Sequence, residues 1–270
     1  EIKFGNALVN HIIMSILVNK EEELNAFVDI LNDYDNNTKE FGELVKYGIE
    51  NEQDVKDFKK SFIINSRIDM EGDTLLHLAC GIGNVKLIQY ILNKCEVNIW
   101  KMNGQGETSF MQMFKFKNCM VSDGVVVKTL EVFRTWFLDN DSLINFNKFL
   151  SFQNYKNENV IHLMLKFKQN LMKSTENDLE TKNIILAGFS VVFKETLKFL
   201  DKLSLTRMLL RDQDNHNGNT PLHIALLVLQ DESVYGTLIE ILKLKYLDDA
   251  HTFKKLMDSD IKQIINKKGE

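Results

Sequence analysis

The stretch HNGNTPLHIALL, His216–Leu227, contains Pro221, the only proline in a chain of 270 residues. Proline holds φ near the helical value and has no N–H to donate, so the first turn of a helix is where it is best tolerated. The sequence therefore reads as a turn ending at Gly218, a helix cap at Thr220 and a helix that starts at Pro221. A device of this kind gains meaning if the chain uses it more than once.

It does. GDTLLHLA, from Gly72 to Ala79, matches GNTPLHIA, from Gly218 to Ala225, at the Gly, Thr, Leu, His and Ala positions. Two weaker copies lie between them: GETSFMQM from Gly106, and NENVIHLM from Asn157, which keeps its histidine as His162. Each copy follows an Asp/Asn-x-x-Gly/Asn turn, at Asp69–Gly72, Asn103–Gly106, Asn154–Asn157 and Asn215–Gly218, and Asn266–Gly269 repeats it. Repeats are thus expected to start near 69, 103, 154 and 215, with a fifth opening at 266. Gly or Asn supplies the positive φ of a tight turn. Thr74 and Thr220 cap the helices that follow, and small Ala79 and Ala225 allow close helix approach. The histidines at 77, 162 and 223 are expected to bond neighbouring backbone and bridge one turn to the next.

A second helix completes each unit. GNVKLIQYILNK places Val85, Leu87, Ile88 and Ile91 at the spacing of an apolar stripe. GVVVKTLEVFRTWF, ILAGFSVVFKETLKFL and VYGTLIEILKLKYL are its later counterparts. Their Val, Ile and Phe content also admits strands, but length and register favour helix. Residues 1–63 carry NALVNHIIMSILVN and EEELNAFVDILNDY, a helix pair with no such turn, joined to the repeats by a charged connector. An atypical first unit suits a stack whose outer face must close. The expected fold is an all-α solenoid over 64–270 with an atypical helical N-terminal cap over 1–63.

The bulk composition narrows the function. A net charge of −5 with interspersed signs argues against a nucleic-acid-binding surface on this segment. No apolar run reaches the roughly 20 residues of a membrane span. Cys80, Cys95 and Cys119 form no C-x-x-C pair, which suits a reducing compartment and disfavours a zinc site or disulfide frame. The chain begins at Glu1 and is read as part of a longer protein.

Motifs that could carry chemistry have plainer readings. His77 and Cys80 share a helical face as a base and thiol would, yet His162 and His223 recur without the cysteine. Gly81 and Gly83 sit in a turn between helices, not after a strand, so they make no phosphate loop. Asp212, Asp214, Asn215 and His216 could ligate a cation, but the glutamate of a calcium-binding loop is missing, and the stretch reads as a solvated loop. KSTENDLETK reads as another solvated loop. Met111, Met113, Phe114 and Phe116 form a soft apolar stripe assigned to core, with a partner groove as the alternative. Trp100 and Trp136 fit either core or surface. No enzymatic activity, cofactor or metal is expected.

The G-x-T-x-L-H-x-A copies resemble the ankyrin family, whose unit is about 33 residues. The turn residues Gly72, Gly106, Asn157, Gly218 and Gly269 are separated by 34, 51, 61 and 51 residues, so the later units carry long helical insertions. The order of those insertions, with Gly106–Thr108, Val160–Leu163, Ile184–Phe199 and Gln213–Ala225 in their places, is similar to the central ankyrin core of the fungal SBF and MBF cell-cycle box-binding factors. That resemblance implies a non-catalytic scaffold in a G1/S transcription complex. Its partners would be a sister subunit and transcription regulators, its localisation nuclear with cytoplasmic shuttling left open, and its DNA contacts would lie elsewhere in the full protein. An ankyrin effector of an intracellular bacterium or a virus remains the alternative source. Loop tips are where such units vary, so Lys101, Met102, Asn103, Gln105, Tyr155, Lys156 and His216 are the candidate partner-binding residues.

Overall fold

The turns of the sequence motif are left-handed where the motif requires it, with φ of 77° at Gly72, 74° at Gly106, 56° at Asn157 and 70° at Gly218. The computed structural model of the chain describes residues 64–116, 119, 124–173 and 179–228. The helix pair of 1–63, the helix expected at 234–247 and the fifth turn at 266–269 lie outside them.

Helix α1, Leu75–Ile82, and α2, Val85–Lys94, form the first unit after its turn. Gly83 ends α1 in a left-handed conformation, and Asn84 caps α2 by accepting the Leu87 N–H at 3.1 Å. The second unit opens with a 3₁₀ helix, Ser109–Lys115, followed by α3, Val125–Asn140, and α4, Leu143–Leu150. The third has α5, Val160–Lys173, then α6, Leu179–Lys202, and the short α7, Thr206–Leu209. The fourth begins with α8, Pro221–Val228, and Pro221 is its first residue as expected. Every element among the described residues is helical.

Two rows result. The inner row runs α1, the 3₁₀ helix, α5 and α8, each packed on the next, and the outer row runs α2, α3 and α6. This is an all-α ankyrin-repeat stack. Its core is one aromatic and aliphatic cluster: Phe133, Phe137, Phe146 and Phe149 are fully buried, with Phe133 and Phe137 within 5.2 and 5.5 Å of Phe149. Trp100 meets Phe137 and Phe149 edge-on, at 5.9 Å each. Trp136 donates its indole N–H to the Leu92 carbonyl at 2.8 Å, which ties α3 to the end of α2. Both tryptophans therefore belong to the core margin. Met111, Met113 and Phe114 are core as expected, while Phe116 stays partly exposed.

The structure departs from the sequence reading in three places. The second motif copy forms a 3₁₀ helix in place of an α-helix. Helix α4, in the insertion of the second unit, carried no motif to announce it. Part of the stretch read as a solvated loop is helical, because α6 begins at Leu179.

Candidate functional site

Four turns line up along one edge of the stack. In each, a framing Asp or Asn folds its side chain or carbonyl back on the loop. Asn103 Oδ1 accepts the N–H groups of Gln105 and Glu107 at 2.9 and 3.0 Å, and Asn154 Oδ1 accepts those of Lys156 and Glu158, both at 2.9 Å. Asp69 does the same for Asp73 at 2.8 Å. In the fourth turn the framing residue is Asp214, which accepts from Asn217, Gly218 and Asn219. The repeat therefore opens at 214, one residue ahead of the expected 215. Three backbone donors and the Lys166 ammonium hold this carboxylate in the charged form: desolvation by burial raises its pKa, but the Asn217 N–H, the Lys166 ammonium and the Asn219 N–H outweigh it and keep it below the usual range.

The histidines lock the turns together. His77 Nδ1 lies 2.8 Å from the Thr74 hydroxyl and accepts the Thr74 N–H at 3.3 Å, while Nε2 reaches the Glu107 carbonyl of the next turn at 3.0 Å. A carbonyl only accepts, so the proton sits on Nε2 and the ring is neutral. His162 repeats the arrangement, with Nδ1 on Asn159 and Nε2 3.1 Å from the Asn219 carbonyl. His223 makes the same contacts with Thr220. Burial lowers the pKa of His77 and His162.

Backbone bonds connect the tips. Gly104 donates to the Glu71 carbonyl at 2.8 Å, Tyr155 to Gln105 at 3.0 Å and Asn215 to Lys156 at 2.8 Å. The same two positions of each turn are used every time, counted from Asp69, Asn103, Asn154 and Asp214. This regularity is independent support for Asp214 as the framing residue.

Between the tips and the inner helices lies a groove of about 690 Å³. Gln105, Tyr155, Lys156, Asn215 and His216 form its finger side, and Lys115, Leu163, Lys166 and Phe167 stand on the helix side. Two buried acids anchor the helix-side lysines: Lys115 pairs with Glu107 and Lys166 with Glu158, with Asp214 3.4 Å from the Lys166 ammonium. Glu107 in turn takes Asn103 and Gln112 amides, and the same amides reach Asp73 at 2.9 and 2.8 Å. Burial raises the Asp73 carboxyl pKa against these donors.

Four of the seven candidate residues, Gln105, Tyr155, Lys156 and His216, meet in this groove. Lys101 and Met102 are half-buried and do not line it. Asn103 is fully buried, its amide and carbonyl oxygen both spent inside the turn and on Asp73, so it is framework and offers nothing to a partner. Lys115 and Lys166 went unnoticed in the sequence. A signal for them was present, because Glu107 precedes Lys115 and Glu158 precedes Lys166 by the same eight positions in the second and third copies.

The pairs that could have carried chemistry are otherwise occupied. Cys80 is wholly buried and its thiol pKa lies well above normal, chiefly through desolvation, and burial pushes Cys119 up to about 12. Neither thiol forms the thiolate that nucleophilic attack requires, and both His77 nitrogens are already bonded. Among the described residues, no group of three or more His, Cys, Asp or Glu is placed to hold a metal ion, and no helix is long and apolar enough to cross a membrane.

A model of the ankyrin repeat family matches residues 71–99. The chain is 25% identical over 177 residues to Transcription factor MBP1 of Kluyveromyces lactis, an alignment covering 66% of this chain. It spans 20% of that relative's length. Ankyrin repeats and similarity to a transcription factor point together to a non-enzymatic protein-interaction domain.

Proposed function

From an ankyrin-repeat chain that resembles the core of the fungal SBF and MBF factors, we propose a scaffold within a fungal G1/S transcription-factor complex. The chain acts in the nucleus, binding a sister subunit and transcription regulators, while other parts of the full protein contact DNA. The observation that carries this reading is the similarity to a transcription factor over two thirds of the chain, in a fold whose tips and inner helices leave a sizeable polar-rimmed groove. Concave faces of stacked repeats are extended binding surfaces, and among the described residues the buried, bonded His77 and His162 and the buried thiols of Cys80 and Cys119 leave no nucleophile, base and orienting group together.

The test is recovery of partners. The chain immobilised in nuclear extract from fungal cells arrested before and released into S phase should retain transcription regulators identified by mass spectrometry, and Tyr155→Ala should release at least some of them while melting at an unchanged temperature. Retention of only secretion or host-cell proteins would overturn the proposal.

A further inference from the structure

We propose that the groove between the second, third and fourth fingers takes an extended acidic peptide with one aliphatic or aromatic anchor, supplied by a partner protein. This rests on the reading of the chain as a protein-interaction domain and adds the chemistry of what it recognises.

The sign of the groove is set by depth. Its two acids are hidden: the side chains of Glu107 and Glu158 are 1% and 6% exposed, whereas their partners Lys115 and Lys166 are 28% and 30% exposed. Lys156 is exposed at the rim. A visiting chain thus meets three ammonium groups above three buried carboxylates, Glu107, Glu158 and Asp214, that already have partners. An ammonium has three N–H donors. Lys166 directs two toward Glu158 and Asp214, and Lys115 directs two toward Glu107 and Gln105, so each keeps a donor for an incoming carboxylate. The whole chain carries −5, yet the exposed charges lining this groove, Lys115, Lys156 and Lys166, are all positive.

The apolar part of the groove specifies a peptide over a small anion. Leu163 and Phe167 line the groove together with the two lysines, and Tyr155, 66% exposed, stands on the finger side. Its ring covers Gly106 so closely that a Cβ there would come within 2.5 Å of it. A large aromatic, held in place and open to solvent, is the residue type that most often anchors an interface. The Gln105 and Lys156 carbonyls are committed to the neighbouring fingers, so side chains carry the recognition. Three lysines on an acidic chain are too few for a phosphate backbone, whose binding scales with the number of phosphates neutralised.

Fluorescence anisotropy with the purified chain tests this, using a labelled twelve-residue peptide that alternates Glu with Leu and Phe. Its counterpart with Lys for every Glu, and a twelve-nucleotide oligothymidylate, are the controls. The Glu peptide should bind about ten-fold more tightly than either control and weaken as salt is raised from about 50 to about 200 mM. Lys156→Glu should weaken it about five-fold and Tyr155→Ala about ten-fold. Lys128→Glu, on α3 and away from the groove, should leave it unchanged. Equal binding of both peptides, a preference for the oligonucleotide, or indifference to Lys156→Glu and Tyr155→Ala in variants of unchanged melting temperature would overturn the proposal. A chain that ignores the Glu peptide yet retains regulators from extract refutes the acidic ligand alone. One that binds the peptide and retains no regulator refutes the transcription assignment alone.

Discussion

His162 couples the stack to pH. Desolvation lowers its pKa most, the Asn219 carbonyl, Asp214 and Glu158 pull it up, Lys166 pushes it down, and the net direction is downward. The folded state therefore binds the proton less readily than the unfolded chain, whose histidines titrate near about 6.5. The stabilisation is complete above that value and is lost as pH falls through the lowered folded pKa. Thermal melts below pH about 6.5 should show falling stability in the parent and a flatter profile in His162→Gln; parallel profiles would exclude His162 as the source. Asp73, whose carboxyl is raised by burial, acts in the opposite sense beside His77, which makes His162 the cleaner probe. Asn157 offers a second test at this scale, since it is held at φ 56°. Asn157→Ala should cost about 1 kcal/mol and Asn157→Gly less than about 0.5 kcal/mol, read from denaturant midpoints. These positions were legible because backbone sterics restrict a positive φ to very few residue types. Asp214 was not, because in DNHNG both Asp214 and Asn215 can frame a turn, and only the bonds inside the folded loop choose between them.

Among the elements, α2 and α3 are joined by a polar contact as well as by packing. The Leu92 carbonyl lies in the last turn of α2, where carbonyls lack an intrahelical partner, and the Trp136 indole supplies one. Trp136→Phe keeps most of the aromatic packing and removes that donor, so it should destabilise by about 1 kcal/mol, a fall in melting temperature of about 2–4 °C. No change would mean that water substitutes at the helix end. The long amphipathic helices were readable from their periodicity, as Leu87, Ile88 and Ile91 show by their burial. The 3₁₀ form of Ser109–Lys115 was not: its six leading residues are all buried, so no polar face marks a period. Helix α4 escaped notice because LINFNKFL is short, and its Phe146 and Phe149 acquire meaning only against Phe137 and Trp100.

At the scale of the whole molecule, the tips behave as one element although 34 to 61 residues separate them. Amide hydrogens of Gly104, Tyr155 and Asn215 should exchange slowly in spite of their place on loops, and at similar rates, because each donates to the preceding finger. Exchange at the rate of an open loop would show that the fingers move separately. The groove itself was half legible. Loop tips could be chosen from turn chemistry, but their helix-side partners required knowing that the inner helices stack, and only then does the repeated Glu-to-Lys spacing become a pair of buried anchors. The chain of tip bonds also has a direction. In every backbone link the later finger donates and the earlier one accepts, so the array has a head and a tail. A unit stacked beyond the fourth finger must give its N–H to the His216 carbonyl, and one placed before the first must accept from Met70. Copies of this finger array that continued the pattern would meet head to tail, a heterologous contact that builds rings or filaments and cannot close as a two-fold pair.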